Sequence, residues 1–146
     1  MIRLASAGDL KFCADLDSKV FGEDANTMYR EMEKKFVDKD YKILICEESQ
    51  VKVGFCVFVS RRWNNTAYIE MLILEEGYRS KGLGKSVVDN VVKICREGNI
   101  RRIFCDVGTD NARAVNFYLR NKFSMAGFIK DFLDESRDVV VLSRHI

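Results

Sequence analysis

The sequence predicts a single α/β domain over residues 1–146, with a mixed β-sheet covered by helices. Three observations carry that expectation. Stretches with apolar residues at helical spacing interchange with short runs rich in β-branched and aromatic residues. In the first half the strand runs follow one another across tight turns, whereas in the second half helices separate them, a combination that builds hairpins and crossovers into one sheet. A chain of 146 residues is also of ordinary single-domain size and can bury roughly two-thirds of its unfolded surface.

The elements follow in the order β-α-α-β-β-β-α-β-α-β-β. Residues 2–5 read as a short strand. Ser6 and Asp9 have capping-box spacing ahead of a helix that runs to about Phe21, with Leu10, Cys13, Ala14, Leu16 and Val20 on its apolar side. Gly22-Glu23-Asp24 breaks it. A more polar helix extends to about Val37, and its stripe of Met28, Met32 and Phe36 is read as core packing. Tyr41–Glu48 and Val51–Trp63 form a hairpin across Ser49-Gln50, and Asn64-Asn65 turns into a third strand, Ala67–Leu74. The basic loop from Gly77 to Gly84 opens a helix with Val87, Val88, Val91, Val92 and Cys95 on one side, ended by Gly98. Arg101–Val107 is a strand, Asn111–Arg120 a helix, and the last strands occupy about Phe123–Lys130 and Asp138–Arg144. With no proline in the chain, this punctuation rests on Gly, Asn, Asp and charge.

Composition excludes several function classes. Hydrophobic residues make up 47% and charged residues 32%, the balance of an ordinary globular protein. A net charge of +2 does not point to nucleic acid or an anionic membrane as partner. The pairs Arg61-Arg62 and Arg101-Arg102 are read as solvated strand ends. No run approaches the ~20 apolar residues of a membrane helix, and the first residues show no signal-peptide apolar region. Five cysteines, an odd number with no C-x-x-C spacing, indicate free buried thiols in a reducing, cytoplasmic compartment. One histidine, His145, supports neither a hydrolase triad nor a metal site, so no metal is expected.

The chemistry concentrates between the third strand and the next helix. In Arg79-Ser80-Lys81-Gly82-Leu83-Gly84 the two glycines leave the backbone open to close approach. The following helix offers unpaired N–H groups and the positive end of its dipole, and Arg79, Lys81 and Lys85 add charge. A phosphate or pyrophosphate suits such a place; the bland alternative is a basic strand-to-helix turn. Gly84-Lys85-Ser86 imitates the end of a nucleotide P-loop, but that motif needs a glycine where Arg79 stands. A nucleotide-binding protein is therefore disfavoured.

Two segments carry a family resemblance. Tyr78-Arg79-Ser80-Lys81-Gly82-Leu83-Gly84 after strand Ile69–Leu74 resembles the R/Q-x-x-G-x-G/A motif of the GNAT superfamily of N-acetyltransferases. Asn111-Ala112-Arg113-Ala114-Val115-Asn116-Phe117-Tyr118 resembles that family's N-x-x-A-x-x-F-Y segment, one helix and one strand later, and the element order matches over nearly the whole chain. The resemblance implies a GNAT-like fold and acetyl-CoA as cosubstrate. It implies that Arg79, Ser80, Lys81, Gly82, Leu83, Gly84 and Lys85 hold the pyrophosphate. It further implies that Leu72, Ile73 and Leu74 bond the pantetheine arm, and that Asn111 and Phe117 lie beside the cofactor. Tyr118 matches the tyrosine often proposed as the family's general acid; read without the resemblance, it is a core tyrosine on a helix stripe.

The chemistry gives these residue types a purpose. A tetrahedral oxyanion can be stabilised by a strand N–H near Leu74. A leaving thiolate can take a proton from a phenol. An amine of pKa near ~10.4 must first lose a proton. Glu70, a carboxylate within the apolar strand Tyr68–Leu74, is the candidate base, with an anchoring role or an exposed strand-edge position as alternatives. The chain departs from the family pattern at Lys122-Phe123, where Gly-Phe is common, at Glu76, where proline is usual, and at Leu74, where valine is usual.

The expected function is transfer of an acetyl group from acetyl-CoA to a primary amine of a small molecule, peptide or protein. A catalytically silent module that senses CoA, or an interaction protein with the same fold, is the competing reading. Acidic residues at Phe21–Met28 and Asp131–Asp138 (Glu23, Asp24, Asp131, Asp134, Glu135 and Asp138) are expected to favour a cationic acceptor, the plain alternative being solubility. The apolar run Val139–Leu142 suits pairing of two copies into a homodimer, as many relatives pair through their last strands.

Overall fold

The short first strand β1 (Ile2–Leu4) is followed by a 3-10 turn at Ala7–Asp9 that leads into helix α1 (Leu10–Phe21). Ser6 donates its backbone N–H to Asp9 Oδ2 at 2.7 Å while its carbonyl accepts from the Asp9 N–H at 3.0 Å, so the predicted start signal is in place. Gly22 closes α1 at φ 76°, a left-handed conformation that glycine adopts without strain. Helix α2 (Ala25–Val37) starts at Asp24, whose side chain accepts from the Thr27 N–H. Then come β2 (Tyr41–Glu48), β3 (Val51–Arg61), β4 (Thr66–Leu74), helix α3 (Leu83–Glu97), β5 (Arg102–Gly108), helix α4 (Ala112–Arg120), β6 (Ser124–Asp134) and β7 (Arg137–His145). The order and type of every predicted element agree with this computed structural model, which describes all 146 residues.

The seven strands form a mixed sheet, and the chain divides into two compact units. The first comprises Met1–Val59 and Met71–Val91, the second Ser60–Glu70 and Val92–Ile146, so β3, β4 and α3 each contribute to both. In the first unit the strand order is β1-β2-β3-β4. Its core is Leu10, Cys13 and Leu16 of α1 and Met32 of α2 against Ile43, Ile45, Phe55, Val57 and Ile73 of the strands. Met32 is fully buried as its stripe predicts, but Phe36 and Val20 are 38% and 39% exposed because they lie in the last turns of their helices. Asp9, buried at the α1 start, is clamped by Arg3 at 2.7 Å and Lys52 at 2.8 Å, and Arg3 also reaches Glu47. The Arg3 guanidinium holds the Asp9 carboxyl far below the usual carboxylate range.

In the second unit the order is β4-β5-β7-β6. β4 and β5 run parallel, in register from Thr66↔Arg102 to Tyr68↔Phe104, and β5 pairs antiparallel with β7 from Arg102↔His145 to Gly108↔Val139. The last hairpin is longer than predicted. β6 reaches Asp134 and β7 begins at Arg137, so Asp131–Asp138 is strand with a two-residue turn, not an open acidic loop. A register shift between Ile129 and Asp134, with Asp131 at φ 53°, absorbs the charged residues that had marked the segment as a loop. Val139 and Leu142 are fully buried in β7, between β5 and β6, so the run expected to pair two copies is not at an edge. The edge is β6, which exposes Met125, Phe128 and Leu133. All five cysteines are free and buried, and burial pushes the thiols of Cys13, Cys95 and Cys105 up to about 12.

Candidate active site

Every residue of the phosphate-loop expectation lies in the first unit. Ile73 and Leu74 are buried at the end of β4, beside β3. Their position is set at Gly54. A methyl group there would collide with Leu74 Cδ2 and stand 2.6 Å from the Ile73 carbonyl oxygen. The Glu75 N–H continues the ladder by donating to the Val53 carbonyl at 2.8 Å. Beyond the strand, a 3-10 turn at Glu76–Tyr78 occupies the stretch where the family pattern has proline.

The loop itself then adopts an unusual backbone. Ser80 lies at φ 62° and Gly82 at φ 83°, two left-handed residues with Lys81 between them. A side chain at Gly82 would meet nothing within 4 Å, so glycine is required there for its conformation and not for space. Gly82 accepts the first helical bond from the Ser86 N–H at 3.2 Å. An α-helix leaves its first N–H groups without intrahelical acceptors, here those of Leu83, Gly84 and Lys85. The cations around the loop have local partners. Arg79 Nε donates to the Leu74 carbonyl at 3.0 Å, tying the loop back to the strand end. Lys81 Nζ lies 5.3 Å from the centre of the Tyr78 ring, and Lys85 pairs with Asp89 at 2.6 Å.

The remaining expected residues lie in the second unit. Asn111 caps α4, its Oδ1 accepting from the Ala114 N–H at 3.1 Å. Tyr118 is buried, its ring edge-on to Phe117 and to Phe123 with centroids 5.1 Å apart in both pairs. The helix end below it is a Schellman motif. The Phe123 N–H reaches the Tyr118 carbonyl at 3.0 Å and the Lys122 N–H reaches that of Leu119 at 3.3 Å, with Lys122 left-handed at φ 70°. This explains why a glycine is common where this chain has Lys122. Glu70, on β4, is half-buried, and alternation puts it on the same strand face as Tyr68, opposite buried Ala67 and Ile69.

A cleft of about 360 Å³ lies in the same unit, and sequence reasoning missed it. Its lining comes from the turn after β3 (Trp63), from Tyr68 of β4, from Phe104 and Asp106 of β5, and from Phe132 of β6. Arg61, read as a solvated strand end, also lines it. Burial raises the Asp106 carboxyl above its ordinary value, offset in part by its own backbone N–H. Three of the six acids expected to steer a cationic acceptor are engaged in local structure. Asp24 caps α2, Asp134 accepts from the Ser136 N–H and faces Arg137 at 3.6 Å, and Asp138 accepts from the Asp131 N–H.

A mixed sheet with this element order, a left-handed glycine loop opening the helix after its fourth strand, and a buried tyrosine on the helix after that agree with the fold the sequence resemblance implies. The chain belongs to the acetyltransferase (GNAT) family, whose model matches residues 10–123. Streptothricin acetyltransferase of Streptomyces lavendulae is 28% identical over 74 residues, 51% of this chain and 39% of that protein. The match thus spans about two-fifths of that relative's length. A Bacillus anthracis structure assigned as a streptothricin acetyltransferase, in complex with acetyl coenzyme A, is 26% identical over 78% of this chain and 67% of its own, with a TM-score of 0.72. The fold extends over 99% of this chain and 94% of a spermidine N-acetyltransferase variant from Vibrio cholerae, at a TM-score of 0.84 and 18% identity. No helix is long and apolar enough to cross a membrane.

Proposed function

We propose that this protein is an N-acetyltransferase that moves the acetyl group of acetyl-CoA to a primary amine of a small molecule or peptide. The left-handed Ser80 and Gly82 ahead of the α3 N-terminus support the reading, because left-handed residues in a loop before a helix are the kind of backbone that can turn successive N–H groups towards one anion. Residues Arg79 to Lys85 hold the pyrophosphate and Leu72 to Leu74 align the pantetheine arm, with Asn111 and Phe117 beside it. Glu70 takes the proton of the amine, directly or through water. Nitrogen then attacks the acetyl carbonyl carbon, the carbon–sulfur bond breaks, and the departing thiolate takes a proton from Tyr118. The nitrogen gives up its second proton as the amide forms, which through water restores the one Tyr118 gave to the thiolate, and Glu70 returns its proton to solvent. The acetyl-CoA complex of the Bacillus anthracis relative supports the cosubstrate.

The test is calorimetric titration with acetyl-CoA, with ATP and GTP as controls. Micromolar acetyl-CoA binding is expected, weakened at least tenfold in Gly82→Val, where a β-branched residue cannot hold φ 83° without strain. Absence of acetyl-CoA binding, or equal binding of the nucleotides, overturns the reading. A module that binds acetyl-CoA without turnover is favoured by one observation, the core-like packing of the Tyr118 ring. Tyr118→Phe separates the two: in an enzyme it lowers turnover by about 10²–10⁴-fold with binding retained. We further assign a homodimer to the β6 edge, and expect dimers in sedimentation velocity that Phe128→Lys converts to monomers. Five buried thiols accord with a reducing, cytoplasmic setting.

A further inference from the structure

The cleft beside β5 has a composition unlike a general acid patch. Trp63, Tyr68, Phe104 and Phe132 give it aromatic walls, Asp106 supplies a carboxylate, and Arg61 a fixed positive charge. Its volume of about 360 Å³ lies in the range of small-molecule pockets, roughly 300–1,000 Å³. Tyr68 and Phe104 are the last paired residues of β4 and β5, and Glu70 and Asp106 follow two residues beyond them, each on the face of its own strand that carries the ring.

We propose that this cleft is the acceptor pocket and that it selects a primary amine carrying a single positive charge on an aromatic or branched apolar body. The inference rests on the acetyl-transfer reading for what happens to the amine, but not for its binding. An ammonium pairs with the Asp106 carboxylate and is drawn to the ring faces of Trp63 and Tyr68. The body packs on Phe104 and Phe132. A ligand with several charges spaced along a flexible chain places a second ammonium against Arg61 and leaves the aromatic walls poorly filled. The pocket therefore disfavours linear polyamines. Asp106 binds the amine as its cation, and Glu70, two residues beyond Tyr68 on β4, takes the proton that attack requires.

Trp63 is the only tryptophan of the chain and lines this cleft, so tryptophan fluorescence follows its occupation. The experiment titrates the full chain with 2-phenylethylamine, 2-phenylethanol and spermidine, then repeats it with Asp106→Asn. Saturable change with 2-phenylethylamine is expected, at least tenfold weaker for the neutral alcohol and for spermidine, and at least tenfold weaker in Asp106→Asn. Phe132→Ala, at an exposed position, is expected to weaken binding at least threefold and serves as a second variant. Spermidine binding as tightly as 2-phenylethylamine, or an unaffected Asp106→Asn, overturns the proposal. Release of free CoA thiol is measured in parallel. If 2-phenylethylamine binds through Asp106 but no thiol is released from acetyl-CoA, the pocket stands and acetyl transfer to this amine fails. If spermidine is acetylated and 2-phenylethylamine neither binds nor reacts, the transferase stands and the pocket assignment fails.

Discussion

Replacing Lys122 with glycine should stabilise the protein. Lys122 occupies the left-handed position of the motif that ends α4, at φ 70°, and its N–H and that of Phe123 close the last turn onto Leu119 and Tyr118. A side chain in that conformation costs about 1–2 kcal/mol through contact of Cβ with the carbonyl. Glycine removes that cost but gives the unfolded chain extra freedom worth about 0.4–1 kcal/mol. The net gain is about 0.5–1 kcal/mol, which for a chain of this size raises Tm by about 2–3 °C. Lys122→Ala is the control. It keeps Cβ in the same conformation, so its Tm should stay within about 1 °C of the parent. Differential scanning calorimetry at neutral pH measures all three proteins. A lower Tm for Lys122→Gly, or an equal gain for Lys122→Ala, refutes the argument that backbone strain at position 122 is the relevant quantity. Because the same cap fixes Tyr118 through its carbonyl and through the Phe123 ring, the glycine variant should keep its turnover.

Other perturbations follow from the same reasoning. Asp9→Asn removes a buried carboxylate bound by Arg3 and Lys52 and should cost about 3 kcal/mol in denaturant titrations. The folded Asp9 value is depressed, so its stabilisation is complete above the ordinary carboxylate value of about 3.9 and is lost as pH falls. Below that pH the difference between Asp9→Asn and the parent should shrink. Gly54→Ala should destabilise by about 1–3 kcal/mol, since the new methyl meets the Ile73 carbonyl and the Leu74 side chain, and should weaken acetyl-CoA binding in calorimetry by moving the end of β4. Asp106 has the opposite sign to Asp9. Burial raises its folded value, so the folded state holds the proton longer and stability falls as pH rises through the interval between the ordinary and the raised value. Asp106→Asn should therefore raise Tm at neutral pH while weakening amine binding, a pairing that a purely structural Asp106 would not produce.

The order of elements was legible because its signals are local. Gly22 ends α1 in the left-handed conformation its composition requires, and the Asn64-Asn65 turn includes a residue at φ 55°, as a tight turn demands. The loop from Arg79 to Gly84 was legible for the same reason, since a contiguous run of residues builds it. β6 was misjudged at its far end. Lys130, Asp131 and Asp134 look like a loop, yet an edge strand keeps such side chains in water, and a register shift with Asp131 left-handed accommodates them. Gly54 gave no signal, because its neighbours across the sheet lie about 20 residues further along the chain. The cleft was illegible on the same ground. Trp63, Phe104 and Phe132 belong to three separate segments, and no local pattern marks Asp106 as half-buried.

The displacement of acidity from loops to sheet bears on how an acceptor is chosen. Steering by loop carboxylates acts at long range, is screened within ~10 Å at 0.1 M salt, and draws any cation. In this chain Asp24, Asp134 and Asp138 accept backbone N–H bonds that hold a helix start and a hairpin end, so rearranging them towards a ligand would undo that structure. Asp106 differs, because burial disfavours its charge and a bound ammonium would restore it. A half-buried carboxylate among aromatic rings reads the shape around a cation as well as its sign. Discrimination then depends on Trp63, Phe104 and Phe132, residues no charge count would single out. Salt distinguishes the two mechanisms. If surface acids select the acceptor, raising ionic strength from 0.05 to 0.5 M should weaken amine binding severalfold. Selection by the cleft predicts little loss over that range for 2-phenylethylamine, since a pair partly withdrawn from water is screened much less.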